Sequence, residues 1–439
     1  MLQALRNAFR IPEVRNKLIF TGLVILVYRF IAHVPVLGVD KSALTSLLNS
    51  SQAGGLVGVL NLLSGGAVSN FSIIANGVYP YITASIIFQL LVPAIPALEA
   101  IQREPGGQEK IQRYTYYLAI PMAMLQSVAQ INIFNLLGGV PIIPGFGSEW
   151  LLTLTVIASM TAGTMLAIWM GELITQDGLG NGISIIIFAG IVATAPTSFL
   201  QLMQNTTGAY RLYNIVMFIL ITLISLVVII LIQEGVRRIP VNYGKRVRGQ
   251  KMYGGQSSYI PLKINPVGMI PLIFAQSMIT FPAILVSLLP ANDFTRGLTR
   301  TFGDQSGFWY WLIFFTLTVA FTFFYSDVMV QQQNLSENLQ RQGGFIPGIR
   351  PGKRTQDYIQ KVTRRVTVVG AVFLGVIAIL PGVVGGLNSL FFGLQAVAGV
   401  NAAQVVTGSG LIIVVGVVID TLRQLEAQMV MRNYDGFMR

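Results

Sequence analysis

The sequence predicts an all-α polytopic membrane protein. It reads as ten transmembrane helices in two inverted five-helix halves around a central pore, plus one segment that enters the bilayer and returns. Three observations predict this. The chain is 53% hydrophobic and only 10% charged over 439 residues, whereas a soluble domain carries about 25% charged residues. It contains many apolar runs of the length, about 20 residues, that a spanning helix needs. Its cations also fall overwhelmingly on one side of those runs.

Hydropathy places spans at residues 18–37, 73–95, 114–137, 151–171 and 182–202, then at 212–233, 266–289, 308–330, 366–384 and 401–421. With the N-terminus inside, the cytoplasmic segments 1–17, 98–113, 234–264, 332–365 and 422–439 hold 4, 3, 7, 7 and 3 of the lysines and arginines. That is 24 of 29; the outer loops keep only Lys41, Arg211, Arg296 and Arg300, and Arg29 lies within the first span. Such an asymmetry fixes orientation by the positive-inside rule, with both termini cytoplasmic.

The parity of this arrangement decides the fate of "GGLVGVLNLLSGGAVSN", residues 54–70. No charge occurs from Ser42 to Leu98, so hydropathy alone permits an additional crossing there. A crossing would put both seven-cation loops outside. The segment is therefore expected to enter and return, which backbone at that depth tolerates only inside protein or beside a water-filled cavity.

Five spans precede the loop 203–211 and five follow it, and an odd number per half makes any structural repeat inverted. The expected organisation is an N-terminal half (1–202), a hinge loop (203–211) and a C-terminal half (212–439) carrying the cytoplasmic loops 234–264 and 332–365. No residue-level repeat is evident, so this symmetry rests on topology. A sequon at Asn205–Thr207 reads as a chance match.

No catalytic constellation, cofactor motif or metal set is found, and the chain reads as a non-enzyme. There is no cysteine and one histidine, His33, which excludes disulfides, thiolate chemistry and two-histidine metal sites. "PGKRT" (351–355) lacks the spacing and the Ser/Thr of a phosphate loop. "DGLGNG" (177–182) joins two spans, not a strand and a helix. The N-terminus lacks a cleavage pattern and a transit peptide, so organellar import is not expected. Glu172, Glu234, Asp327 and Asp420 all fall near cytoplasmic span ends, whereas ion-coupled transporters place acids at mid-membrane. This weighs against the alternative reading, an ion-coupled secondary transporter with inverted repeats. Arg29, costing about 3 kcal/mol on insertion scales, is expected to be paired inside the bundle, and His33 to be a satisfied polar group.

Four stretches are specific: "LLSGGAVSNFSIIANGVYPYITASIIFQLL" (62–91), "GELITQDGLGNGISIIIFAGIV" (171–192), "RRIPVNYGKR" (237–246) and "GGFIPGIRPGKRT" (343–355). Together they resemble the SecY family, channel subunits of the Sec protein translocon, over nearly the whole chain. The resemblance implies a protein-conducting channel that passes unfolded secretory chains and releases membrane segments sideways. It implies a plug at Leu60, Asn61, Leu62, Leu63, Ser64, Gly65, Gly66, Ala67 and Val68, where the glycine pair makes a poor helix interior, by about 1 kcal/mol per Gly relative to Ala. It also implies a pore ring of Val78, Ile82, Ile183, Ile187, Ile273 and Ile413. Branched aliphatic rings hold back water and ions by dewetting; from the residues alone, helix packing is the simpler account of isoleucines in a membrane helix. The second and seventh spans are implied to form a lateral gate, for which Thr83, Gln89, Gln276 and Ser277 are candidate interhelical hydrogen-bonding residues.

The implied partners are SecE, SecG, the SecA motor, the ribosome with its RNA, signal peptides, nascent chains and membrane lipids. The implied location is a bacterial plasma membrane, with the thylakoid left open. Docking is assigned to Arg237, Arg238, Lys245, Arg246, Arg248, Arg350, Lys353 and Arg354. Lipid headgroup attraction, about 1 kcal/mol per cation near the surface, is the less specific reading of the same charges.

Overall fold

In the computed structural model the described residues are 11–49, 61, 64, 66–138, 141–205, 209–243, 246–248, 251–253, 257–286, 289, 297–298, 301–302, 307–332, 335–392 and 410–437. Ten long helices occupy the ten expected spans. They are α1 (Pro12–Ile31), α3 (Tyr79–Ala94), α5 (Gly107–Gly138), α6 (Trp150–Asp177) and α7 (Gly182–Asn205), then α8 (Ala209–Glu234), α9 (Ile270–Val286), α10 (Phe308–Gln332), α12 (Lys353–Phe392) and α13 (Leu411–Phe437). Three short helices, α2 (Lys41–Asn49), α4 (Pro96–Arg103) and α11 (Leu335–Arg341), lie between them.

Prolines set several boundaries. Pro12 and Pro80 sit in the first turns of α1 and α3, where a missing N–H costs nothing. Pro93 near the end of α3 precedes a 105° bend into α4, since proline removes an intrahelical bond and clashes with the preceding turn.

Some ends depart from hydropathy. α1 stops at Ile31, short of the expected 37, because Val34 is turned onto Ile31 and Pro35 cannot donate to a helix. The second span begins at Tyr79 and not at 73. Residues 71–78 are a chain of tight turns with φ of +43° at Phe71 and +55° at Gly77, which a helix cannot accommodate. α12 starts at Lys353, thirteen residues before the apolar run. Its 40 residues extend about 60 Å at 1.5 Å per residue, so the basic end projects beyond a hydrocarbon core of about 30 Å. Hydropathy windows end where charge begins, but Lys, Arg, Gln and Leu continue a helix readily. The expected hinge 203–211 is largely helical, because α7 runs to Asn205 and α8 starts at Ala209; residues 206–208 lie outside the described set.

The core is one continuous cluster fed by both halves. Within the N-terminal half α5 packs on α3 and on α6, and α1 on α6 and α7. In the C-terminal half α10 packs along α12 and against α9. Close approach is permitted where Gly375 faces the Phe315 ring and Gly382 the Trp311 indole. The halves meet along α7 against α8 and α13, and along α3 and α5 against α9.

On the cytoplasmic side the two long loops fold as one unit. β1 (Val236–Tyr243) pairs antiparallel with β4 (Ser257–Lys263), and its far end pairs with β5 (Gly344–Phe345), which comes from the other loop. A second hairpin joins β2 (Arg246–Arg248) and β3 (Lys251–Tyr253). Ile239, Val241, Leu262, Leu339, Ile346 and Ile359 close a separate small core beneath the three-stranded sheet. The two loops are distinct in sequence, and hydropathy gave no reason to join them.

Candidate functional site

The site is best built from where helices begin. α3 and α13 run inward from the outer side, and α7 and α9 run outward from the cytoplasmic side, given the derived topology. The six ring candidates lie at the N-cap or within the first two turns of these four helices. Val78 is the N-cap of α3 and Ile82 lies one turn further; Ile183 and Ile187 open α7, Ile273 opens α9 and Ile413 opens α13. Val78, Ile82, Ile187, Ile273 and Ile413 are buried, and Ile183 is half-buried against the same central cluster. α3, with 16 residues, extends only about 24 Å, less than the hydrocarbon thickness. A short helix preceded by turned backbone is what a start partway into the membrane requires.

Those turns are fixed. Val36 N–H donates to the Phe71 carbonyl and Ile73 N–H to the Val34 carbonyl, both at 3.0 Å. Asn76 Nδ2 donates to Ser127 Oγ at 2.8 Å and to the Ala123 carbonyl on α5. Gly163 on α6 lies against the backbone of Ile73, so a Cβ there would overlap it. The Phe71 ring meets Phe134 edge to face at 5.4 Å.

Of the plug candidates, Asn61, Ser64, Gly66, Ala67 and Val68 are described, while Leu60, Leu62, Leu63 and Gly65 lie outside the described residues. Ser64, Ala67 and Val68 are buried. The segment is knitted by short-range bonds: Gly66 N–H to the Asn61 carbonyl at 2.7 Å, Ser69 N–H to Asn61 Oδ1 at 3.1 Å and Ser69 Oγ to the Gly66 carbonyl at 2.8 Å. It stays on the side of the outer end of α1, to which residues 70–73 are bonded. Tyr28 on α1 donates its hydroxyl to the Ser64 carbonyl at 2.7 Å. Arg29 Nη2 donates to the carbonyls of Ala189 and Gly190 on α7, each at 3.2 Å. Arg29, which the structure puts in the last turn of α1 and not at the middle of the span, is therefore paired within the bundle. His33 shares a 2.8 Å bond between Nδ1 and the Arg29 carbonyl.

At the α3–α9 seam the four candidates do different things. Thr83 Oγ1 donates to the Tyr79 carbonyl in its own helix, and Gln89 donates to Ser85, also within α3. Gln276 donates to the Tyr310 hydroxyl on α10 at 3.1 Å. Ser277 contributes its carbonyl, which accepts the buried Tyr79 hydroxyl across the seam at 2.8 Å; its own Oγ is buried without a partner among the described residues. Tyr79 was missed by sequence reasoning. The available signal was its chemistry, because a buried tyrosine needs a partner for its hydroxyl.

On the cytoplasmic unit Arg237, Arg238, Arg350, Lys353 and Arg354 are exposed. Arg246 and Arg248 form β2, and Lys245 lies outside the described residues. The Arg238 guanidinium stands 4.8 Å from the Tyr259 ring centre. Arg350 sits in a loop bounded by Gly348 and Gly352, with φ of +80° and +102°. Its carbonyl accepts the Thr355 hydroxyl at 2.9 Å, and Ser336 Oγ holds the Gly352 carbonyl at 2.8 Å. Burial pushes the Lys263 ammonium down, Arg423 adds repulsion, and Asp420 and Glu234 oppose both.

Comparisons with known proteins bear on the family and the fold. The SecY family model matches residues 72–422. The protein translocase subunit SecY of Thermotoga maritima is 40% identical over 448 residues, covering 100% of this chain and 98% of its own; that of Streptomyces scabiei is 38% identical over 451 residues with both chains fully covered. Among solved structures, a protein-conducting channel superposes with TM-score 0.64 at 18% identity, covering 97% of each chain. A structure titled for the SecY plug domain, which it describes as stabilising the closed channel and maintaining a membrane seal, gives 0.64 at 19% identity, with 95% of this chain and 92% of that one covered. Sec61 in a canine ribosome–channel complex gives 0.61 at 18% identity, with 97% of each chain covered. With the family model spanning most of its length and relatives near 40% identity end to end, this chain belongs to the SecY family.

Proposed function

We propose that this chain conducts unfolded secretory proteins through an aliphatic constriction made by Val78, Ile82, Ile183, Ile187, Ile273 and Ile413, and releases membrane segments between α3 and α9. Its role as a translocase channel subunit follows from its family and fold. What supports the constriction is that six branched aliphatic residues, five buried and one half-buried, lie at or within two turns of the starts of four helices drawn from both halves. Such a ring excludes water when narrow, yet it binds no polypeptide side chain strongly. The plug assignment to residues 60–68 is supported by the burial of its described part and by the plug domain named in a related structure.

The chain has no evident means of driving transport, so energy comes from partners. The exposed arginines on the joined loops suit both the SecA motor and ribosomal RNA, and the canine relative is itself found with a ribosome. SecE and SecG complete the complex, signal peptides and nascent chains are its cargo, and lipid headgroups meet the remaining cations. The membrane is the bacterial plasma membrane, with both termini cytoplasmic. The ion-coupled transporter reading is not favoured: Glu234 and Asp327 are engaged with Arg423 and Arg364 at the cytoplasmic face.

Reconstitution in vesicles with SecE, SecG and SecA tests this. ATP-dependent protection of a preprotein from external protease is expected. Tight binding of a small solute, with no protected preprotein, would overturn it.

A further inference from the structure

We propose that Tyr28 and Arg29 form a latch that holds the plug segment and ties its release to movement of α7. The inference rests on reading residues 60–68 as a plug. A cation inside a membrane helix is costly, and Arg29 is placed where it joins three elements. Its Nη2 donates to the Ala189 and Gly190 carbonyls, both at 3.2 Å, two and three residues beyond the ring candidate Ile187. Its Nη1 lies 3.0 Å from where a Cβ on Gly66 would stand, and Thr194 Cγ2 lies at the same distance. The plug backbone at Gly66 is thus seated on the guanidinium and on α7 at once.

The neighbouring residue acts on the same segment. Tyr28 is buried and donates to the Ser64 carbonyl at 2.7 Å. Consecutive residues on a helix point about 100° apart, so one face of α1 reaches the plug and the next reaches α7. Gly66 has φ of +87°, which an L side chain rarely adopts, and a side chain there would also meet both the arginine and Thr194.

Shifting α7 relative to α1, as widening the ring through Ile183 and Ile187 demands, pulls the guanidinium from under Gly66. The two charge-assisted bonds to α7 are then given up, and the Tyr28 bond, which joins α1 to the segment, is left to hold it alone. A passive brace between α1 and α7 would instead be indifferent to the plug.

The test is resting ion conductance of the reconstituted complex in planar bilayers, with and without residues 60–68. Tyr28→Phe removes one buried hydroxyl bond and is expected to raise resting open time about fivefold. Arg29→Lys keeps the charge but loses the planar fork, and is expected to raise it about tenfold or more. In the deletion background neither substitution should add conductance, because the held segment is gone. A silent deletion would fault the plug reading itself. A leaking deletion with both substitutions at the parental level would overturn the latch, as would equal leaks with and without the plug. If Arg29→Lys does not assemble, Tyr28→Phe and its deletion pair decide alone.

Discussion

Replacing Tyr79 by Phe removes a single hydroxyl and keeps the ring, so it isolates the bond that crosses the α3–α9 seam. That bond is 2.8 Å long, and both Tyr79 and Ser277 are buried. The Ser277 carbonyl retains its place in the α9 ladder, so the loss approximates the bond and not an orphaned acceptor. Hydrogen bonds between membrane helices average about 0.6 kcal/mol and reach about 1.7 kcal/mol, which lowers the closed-to-open ratio of the seam about threefold to twentyfold. The assay is the import rate of a preprotein with a weakened signal sequence, for which opening limits the rate; its expected gain is of that size, with little change for a strong signal. Gln89→Met is the control, because its amide donates to Ser85 in its own helix, and no gain is expected. The chain has no cysteine, so an introduced pair across α3 and α9 can report separation directly. Parental import and cross-linking for Tyr79→Phe, or equal gains in both variants, would refute the reasoning.

Replacing Ile82, Ile187 and Ile273 together with Ser is expected to wet the constriction and raise resting conductance with assembly little changed; a triple variant that misfolds, and conducts nothing when rescued, would make these packing residues. Arg350→Glu is expected nearly to abolish ATP-dependent import, while Lys361→Glu reduces it modestly. Initial rates at two salt concentrations check this, since equal, salt-sensitive losses would indicate a diffuse basic surface. Gly163→Val forces a side chain into the backbone of Ile73 and should cost about 1–3 kcal/mol of overpacking, read as reduced accumulation of folded protein; normal accumulation would mean that α6 and the 71–78 turns can part easily.

Hydropathy and charge parity carried the ten helices and the returning segment, because both follow from the cost of polar backbone and cations in lipid. They failed at the edges for a physical reason. α12 and α13 continue as helices past the apolar region, where nothing in hydropathy distinguishes helix from loop. The 71–78 turns are as apolar as the span they precede, so only Gly77 and Asn76 hinted at a break. The ring positions were legible only through family likeness, since an isoleucine looks the same on a pore as in a packing face. At the seam, polar residues drew attention to Thr83 and Gln89, which serve their own helix, while the crossing bond used Tyr79 and a backbone carbonyl that no sequence pattern displays. The pairing of β1 with β5 joins residues about a hundred positions apart, and a two-residue strand leaves no periodic trace.

That pairing has a consequence for how the protein can be altered by exchange. Asn242 and Tyr243 on one loop register with Phe345 and Gly344 on the other, and Leu339, Ile346 and Ile359 complete a core begun by Ile239, Val241 and Leu262. A chimera that imports one loop from a relative inherits half a sheet and half a core, so its failure would say little about docking. Segments 236–263 and 335–359 behave as a single heritable module, to be swapped, or to drift in evolution, only together.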